Sequence, residues 1–240
     1  MITLMTTQRP TSIAERLTAV NARIRRAEQT YNRETGSVEL LAVSKRHSVA
    51  AIREAAASGQ TAVGENYLQE AIDKRAQLSD LDLTWHFIGA LQSNKTRAAA
   101  ETFDWVHAID RLKIAHRLSE QRPSELGSLQ CCIQVNVSGE ASKAGVSLDE
   151  APALAHAIAE LPGLRLRGLM TLPEALTELT EQRAAFRALR ECQAQLIDQG
   201  LNLDTLSMGM SNDLEAAIAE GSTMVRIGTA VFGPRPESAA

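Results

Sequence analysis

The stretch VELLAVSKRHSVAAIREAAASGQTAVGEN, residues 38–66, decides the fold. It opens on an aliphatic run, VELLAV (38–43), breaks at the polar turn Ser44–His47, and continues into a helical pattern over 48–58. Gly59 then ends the helix, and a second short run, TAVG (61–64), follows. Run, turn, helix and run is a β-α-β unit, whose strands pair in parallel through a right-handed crossover.

Working outward, the unit repeats. Further runs are TWHFIG (84–89), DWVHAI (104–109), CCIQVNV (131–137), LRLRGLM (164–170), LDTLSM (203–208) and TMVRIG (223–228). Helical patterns fill 66–79, 92–101, 111–121, 149–160, 180–199 and 213–220. Ahead of them Ile13, Leu17, Val20 and Ile24 recur at helical spacing, which predicts a leading amphipathic helix over about 12–31. Its Arg23, Arg25 and Arg26 read as a solvated face. Eight strand–helix units in about 200 residues predict a single closed (β/α)8 TIM barrel of the α/β class. The rival, an open doubly wound sheet, lacks its G-x-G-x-x-G after the first run. The division expected is a flexible tail over 1–10 and one domain over 11–235.

Composition narrows the function. The 240 residues are 44% hydrophobic and 22% charged, an ordinary globular balance that excludes wholesale disorder. No run approaches the roughly 18 apolar residues of a membrane span. The start, MITLMTTQRPTSIAER, lacks the basic and apolar regions of a secretory signal. Three cysteines form neither a disulfide framework nor a zinc set, which suits a reducing cytoplasm. A net charge of -4 and 3% aromatics argue against a nucleic-acid partner.

In a parallel barrel the chemistry sits at the carboxyl ends of the strands. Lys45 directly follows the first run; a partly desolvated amine there can attack a carbonyl. The turn after the seventh run holds Gly209, Ser211 and Asn212, with Glu215 completing a capping-box pattern. The eighth run leads to Gly228 and Thr229. Barrels often bind phosphate with these two loops. Arg226, inside the apolar eighth run, needs a partner, either a carboxylate or a ligand atom. Together these residues suit a phosphorylated carbonyl compound, whether a phosphosugar or pyridoxal 5'-phosphate.

Other polar residues have plainer readings. His47, His107, His116 and His156 lack metal-ligand spacing and read as surface or core-edge residues. Cys131 and Cys132 fall on opposite faces of a strand and read as packing. Glu65 is a candidate partner for Lys95, and Lys143 lies in a solvated loop after the fifth run or over the site.

The blocks AVSK (42–45), GENYLQEA (64–71), WHFIGALQSNK (85–95), VNVSGEASKAGV (135–146), GLMTL (168–172) and SMGMSNDLEAAIAEGSTMVRIGTAVFG (207–233) resemble the pyridoxal-phosphate homeostasis proteins. The resemblance runs from about residue 12 through nearly the whole chain. It implies a barrel like the N-terminal domain of alanine racemase. It also implies that Lys45 is the Schiff-base lysine for pyridoxal 5'-phosphate. Ser211, Gly228 and Thr229 match phosphate-holding positions, and Arg226 matches the arginine facing the pyridine nitrogen. Asn66, His86 and Met170 match rim positions near the ring. A cation at that nitrogen disfavours its protonation and weakens the cofactor as an electron sink.

Racemases of this kind use a second base, a tyrosine from an added β domain. Neither Tyr31 nor Tyr67 matches it, and 240 residues leave no room for that domain. The expectation is a cytoplasmic, monomeric, non-catalytic carrier or buffer of pyridoxal phosphate, with PLP-dependent apo-enzymes as transient partners and no membrane partner. A racemase-like enzyme and a Schiff-base phosphosugar aldolase are the alternatives.

Overall fold

The structure is a computed structural model that describes residues 12–140, 143–174 and 177–234. The expected tail over 1–10 lies outside them. Eight parallel strands close into a barrel in chain order: β1 (Glu39–Val43), β2 (Ala62–Glu65), β3 (Thr84–Phe87), β4 (Trp105–Ile109), β5 (Leu129–Gln134), β6 (Leu164–Met170), β7 (Thr205–Ser207) and β8 (Met224–Ile227). The crossovers carry α2 (Val49–Ala57), α3 (Leu68–Gln77), α4 (Thr96–Thr102), α5 (Leu112–Gln121), α6 (Ala151–Ala159), α7 (Leu179–Asp198) and α8 (Leu214–Ala219). α1 (Ile13–Thr30) precedes the barrel, and the short α9 (Thr229–Phe232) follows it. Among the described residues no helix is long and apolar enough to cross a membrane.

The strands are buried on both faces, which is why they read as nearly continuous apolar runs. Parity sorts the faces. Leu40, Ala42, Val225 and Ile227 pack outward against helices, while Leu41, Val43 and Met224 group inside with Ala62 and Ile88. Cys131 joins the outer core and Cys132 groups with Ala108 and Met170, as opposite faces require. Both thiols are fully buried, which pushes their pKa upward.

α1 begins at a capping box: Ser12 Oγ accepts from Glu15 N at 3.2 Å, and Ser12 N donates back to Glu15 at 3.3 Å. Its Ile13, Leu17, Val20 and Ile24 stripe packs on Leu214, Ile218, Val231 and Phe232, covering the seam where β8 meets β1. Arg26 is exposed as expected, but Arg23 and Arg25 are half-buried and paired rather than part of a solvated face. Arg25 pairs with the fully buried Glu28, and Arg23 reaches Glu215 on α8.

Other boundaries shift. β5 stops at Gln134 because Val135 leaves the sheet and bridges to Val146. α8 starts at Asp213 without a side-chain cap bond, so the expected Asn212–Glu215 capping box is absent. Glu215 is committed to Arg23, and Asp213 accepts from Met210 N at 2.5 Å instead. Two register shifts interrupt the ladders, one in β4 between Val106 and Ile109 and one between Cys131 and Cys132 of β5 against β6. The second bulges Arg167 out of β6, where it pairs with Asp204.

Candidate functional site

A cavity of about 920 Å³ opens at the carboxyl end of the barrel. Lys45, Asn66, Ser211, Arg226, Gly228 and Thr229 all line it, with Val43, Ile88, Leu172, Met210 and Asp213 among their neighbours. Its size and mixed lining suit a small organic ligand.

Lys45 leaves β1 between two clamped neighbours. Ser44 Oγ donates to Glu65 Oε1 at 2.7 Å. The buried Lys74 Nζ, from α3, donates to Ser44 O at 2.8 Å, to Glu65 Oε1 at 2.7 Å and to Glu70 Oε1 at 2.6 Å. Glu70 Oε1 also accepts from Arg46 N at 2.5 Å, which helps hold Arg46 at φ 64°. One buried ionic cluster thus fixes the backbone on both sides of Lys45. Burial lifts the Glu65 carboxyl above its ordinary pKa, while Lys74 and Ser44 pull it back down. The partner of Glu65 is therefore Lys74, not Lys95, which is exposed.

Asn66 follows β2 directly. Its approach depends on Gly89, where a Cβ would meet Asn66 O at 2.3 Å. The Asn66 side-chain oxygen is buried and lacks a hydrogen-bond partner among the described residues. A buried acceptor of that kind calls for a donor that a ligand can bring.

The loop after β7 is braced from two directions. Asp213 holds Met210 N from within, and Arg23 Nη1 donates to Ser211 O at 2.7 Å from α1. The other wall is Gly228 and Thr229, just after β8.

Arg226 is buried, yet its hydrogen bonds go to neutral acceptors. Nη1 donates to Ser207 O and, at 2.8 Å, to Ser207 Oγ; Nη2 donates to Thr171 O at 2.7 Å. Neither alternative posed by the sequence describes these bonds. Burial lowers its pKa to about 10, so it remains a cation at neutral pH.

His86 and Met170 were expected at the rim. Both are buried in the barrel interior, off the cavity lining. His107, read as surface or core-edge, is fully buried beside them: its Nε2 lies 2.9 Å from His86 Nδ1, and its Nδ1 lies 2.9 Å from Ser207 Oγ. His47 is buried and stacks on Phe232, whereas His116 and His156 are exposed. Neither tyrosine lines the cavity; Tyr67 is exposed, with its ring under Arg46.

Sequence reasoning missed Lys74. A usable signal for Lys74 was a lysine on the buried face of the 66–79 helix, four residues after Glu70 and nine after Glu65.

The buried imidazoles make the fold acid-sensitive. Burial lowers His86 to about 3 and His107 well below 6.5. The unfolded chain takes up these protons near 6.5, and the folded chain does not. The stability present above about pH 6.5 is therefore lost as pH falls toward the folded values, by about 1.4 kcal/mol per ring one unit below. Urea denaturation at about pH 7.5 and about pH 5.5 should show a lower midpoint in acid. The drop should be smaller in His107→Gln; an equal drop in both proteins would refute this.

The comparisons with known proteins agree with the barrel fold. The family described as alanine racemase, N-terminal domain, matches residues 16–236. The chain is 61% identical to the pyridoxal phosphate homeostasis protein of Pseudomonas aeruginosa, covering 93% of this chain and 96% of that one. It is 51% identical to the protein of the same name from Escherichia coli K12, over 94% and 98%. PipY of Synechococcus elongatus, solved with PLP bound, superposes with a TM-score of 0.81 at 42% identity, over 92% of this chain and all of that one. Alanine racemase from Corynebacterium glutamicum shares the fold at a TM-score of 0.69 and 22% identity, over 93% of this chain and 63% of that one.

Proposed function

This chain belongs to the alanine racemase N-terminal-domain family and, within it, to the pyridoxal phosphate homeostasis proteins; from that premise we propose that it holds pyridoxal 5'-phosphate on Lys45 and buffers or carries it, with little or no catalysis. The observation that carries this reading is the convergence of Lys45, Arg226, Ser211, Gly228 and Thr229 on one cavity. The relative solved with PLP bound supports the choice of ligand.

The residues present fit the group. Ser211, Gly228 and Thr229 would hold its phosphate, Asn66 would offer its unpartnered oxygen, and Lys45 would carry it covalently. When bound, the group supplies a reactive aldehyde and an electron-accepting ring. Arg226 would stand at the ring nitrogen and oppose its protonation, which keeps that ring a weak electron sink. The Lys74–Glu65–Glu70 cluster holds the backbone beside Lys45 in place before binding. Tyr67 and Tyr31 stand off the lining, which favours holding the group over a racemase-like proton exchange at the α-carbon of an amino acid. In this reading the protein works as a monomer in the cytoplasm and passes its cargo transiently to PLP-dependent apo-enzymes.

The test is direct. Purified protein incubated with pyridoxal phosphate should stay yellow after desalting, and borohydride should then fix the group to the peptide containing Lys45, as read by mass spectrometry. A protein that is colourless after desalting, with no adduct, would remove the proposal and favour the phosphosugar aldolase. Exchange of α-deuterium into amino acids that disappears in Lys45→Ala would favour the racemase reading.

A further inference from the structure

The interior of this barrel is not filled by aliphatic layers alone. A polar column runs up to the floor of the cavity. Trp105 stacks on His86 with centroids 5.2 Å apart and planes 13° off parallel. His86 Nδ1 meets His107 Nε2 at 2.9 Å, His107 Nδ1 meets Ser207 Oγ at 2.9 Å, and Ser207 Oγ accepts from Arg226 Nη1 at 2.8 Å. All four polar residues of this chain are at most 4% exposed.

The direction of the column follows from chemistry. A guanidinium can only donate, so the Ser207 oxygen accepts from Arg226. The Ser207 hydroxyl then has its own hydrogen to place, and His107 Nδ1 faces it. His107 must be a neutral acceptor there, and burial beside Arg226 keeps it so. With Nδ1 accepting, Nε2 carries the proton and donates to His86 Nδ1. Each bond fixes the tautomer of the next ring, and the column ends at His86 Nε2–H, which is buried without a partner among the described residues. A reversed column would turn His107 Nδ1–H toward an oxygen already taking the Arg226 hydrogen. That would leave the serine hydroxyl to find another acceptor.

This ordering gives His107 something to do. Among the described residues, Arg226 has no carboxylate in its bonding shell to set its plane. Its orientation rests on two carbonyls and one hydroxyl, and the hydroxyl is aimed by His107. We propose that His107, held in one tautomer by His86, is a positioning residue that fixes Arg226 through Ser207 against the ring nitrogen of the bound pyridoxal phosphate. The inference rests on the function proposed above and adds residues that stand off the cavity lining.

The test is spectroscopic. His107→Phe keeps a planar ring but removes the acceptor, so Ser207 can turn away and Arg226 keeps only its two carbonyl anchors. The visible band of the bound group should shift in position or intensity, because the charge at the ring nitrogen has moved. Affinity should fall roughly tenfold or more, the size of one lost hydrogen bond to a charged group. Borohydride should still fix the group to Lys45. His107→Gln, which restores an acceptor oxygen, should recover the wild-type band. Ser207→Ala removes the link itself and should reproduce the His107→Phe band; it decides the matter if His107→Phe does not fold.

Wild-type uptake with an unchanged band in Ser207→Ala or in folded His107→Phe overturns this inference alone. So does a His107→Gln band displaced as far as that of His107→Phe, since the ring would then be structural only. A wild-type chain that takes up no pyridoxal phosphate overturns the parent function, and this inference with it.

Discussion

Lys45→Ala is expected to abolish the borohydride-trapped adduct, from one that saturates the chain to none, and with it the visible band that survives desalting. The fold should be untouched. Lys45 is held through its neighbours' backbone and side chains, and the bonds that hold them belong to Ser44, Arg46, Glu65, Glu70 and Lys74. Its melting temperature should therefore stay within about 2 °C of wild type, as for a change outside a packed core. The variant should still bind the group non-covalently, because Arg226 and the loops at 211 and 228–229 remain. Desalting should strip it, whereas wild type retains it. An adduct that persists at another lysine in Lys45→Ala would show that the attachment point was misassigned.

Gly168→Ala is expected to produce the largest loss of stability. A Cβ at this position would sit 1.8 Å from the Thr205 carbonyl oxygen and 2.8 Å from Gln193 Oε1. Gly168 pairs with Cys132 on one side and Thr205 on the other, so the clash lies within the barrel wall. Gln193 Oε1 ends a flexible side chain and can turn aside, but Thr205 O is backbone, so the strand itself must move. β7 is the shortest strand, and its register with β8 rests on the pair Ser207↔Met224. A push at Thr205 therefore falls on the weakest join in the ring. The cost should exceed about 4 kcal/mol, the range reserved for severe core disruption. For a domain of this size that lowers the melting temperature by roughly 8–16 °C. Circular dichroism on heating reads it directly. A melting point close to wild type would mean that the wall between β6 and β7 yields, contrary to the packing described.

The alternation of short aliphatic runs with helical patterns was enough to give eight strands and a closed ring. Burial on both faces makes each strand a legible run whatever its neighbours do. Strand ends were harder. The apolar residues Val135 and Val137 continue the pattern of β5, but hydrogen bonding had already passed to Val146, and no composition signal marks that departure. α9 spans four residues, too few for any helical period to show. In the site, positions immediately after strands were readable, since barrel topology alone sends Lys45, Asn66, Ser211, Gly228 and Thr229 to one rim.

Residues acting within the wall were not readable in that way. His86 and Met170 lie in strands rather than after them, and strand parity turns them inward. His107 sits at a β4 bulge that no sequence period announces. Lys74 was hidden because its three partners come from the ends of two strands and its own helix, a convergence visible only in three dimensions.

The pairing of β8 with β1 has a consequence for how the molecule comes into being. Lys45 stands just after the first strand of the ring, and Arg226, Gly228 and Thr229 stand on or just after the last. During synthesis the amine emerges early and the residues facing it emerge near the end. Joining the two is the contact of greatest sequence separation in the barrel, and so the costliest in chain entropy. A ligand that touches both sides acts as a clasp across that join. It can be gripped only by a ring that has been completed, and its binding energy is added to the stability of the closed form. Retained cofactor thus marks the chains whose final strand has docked.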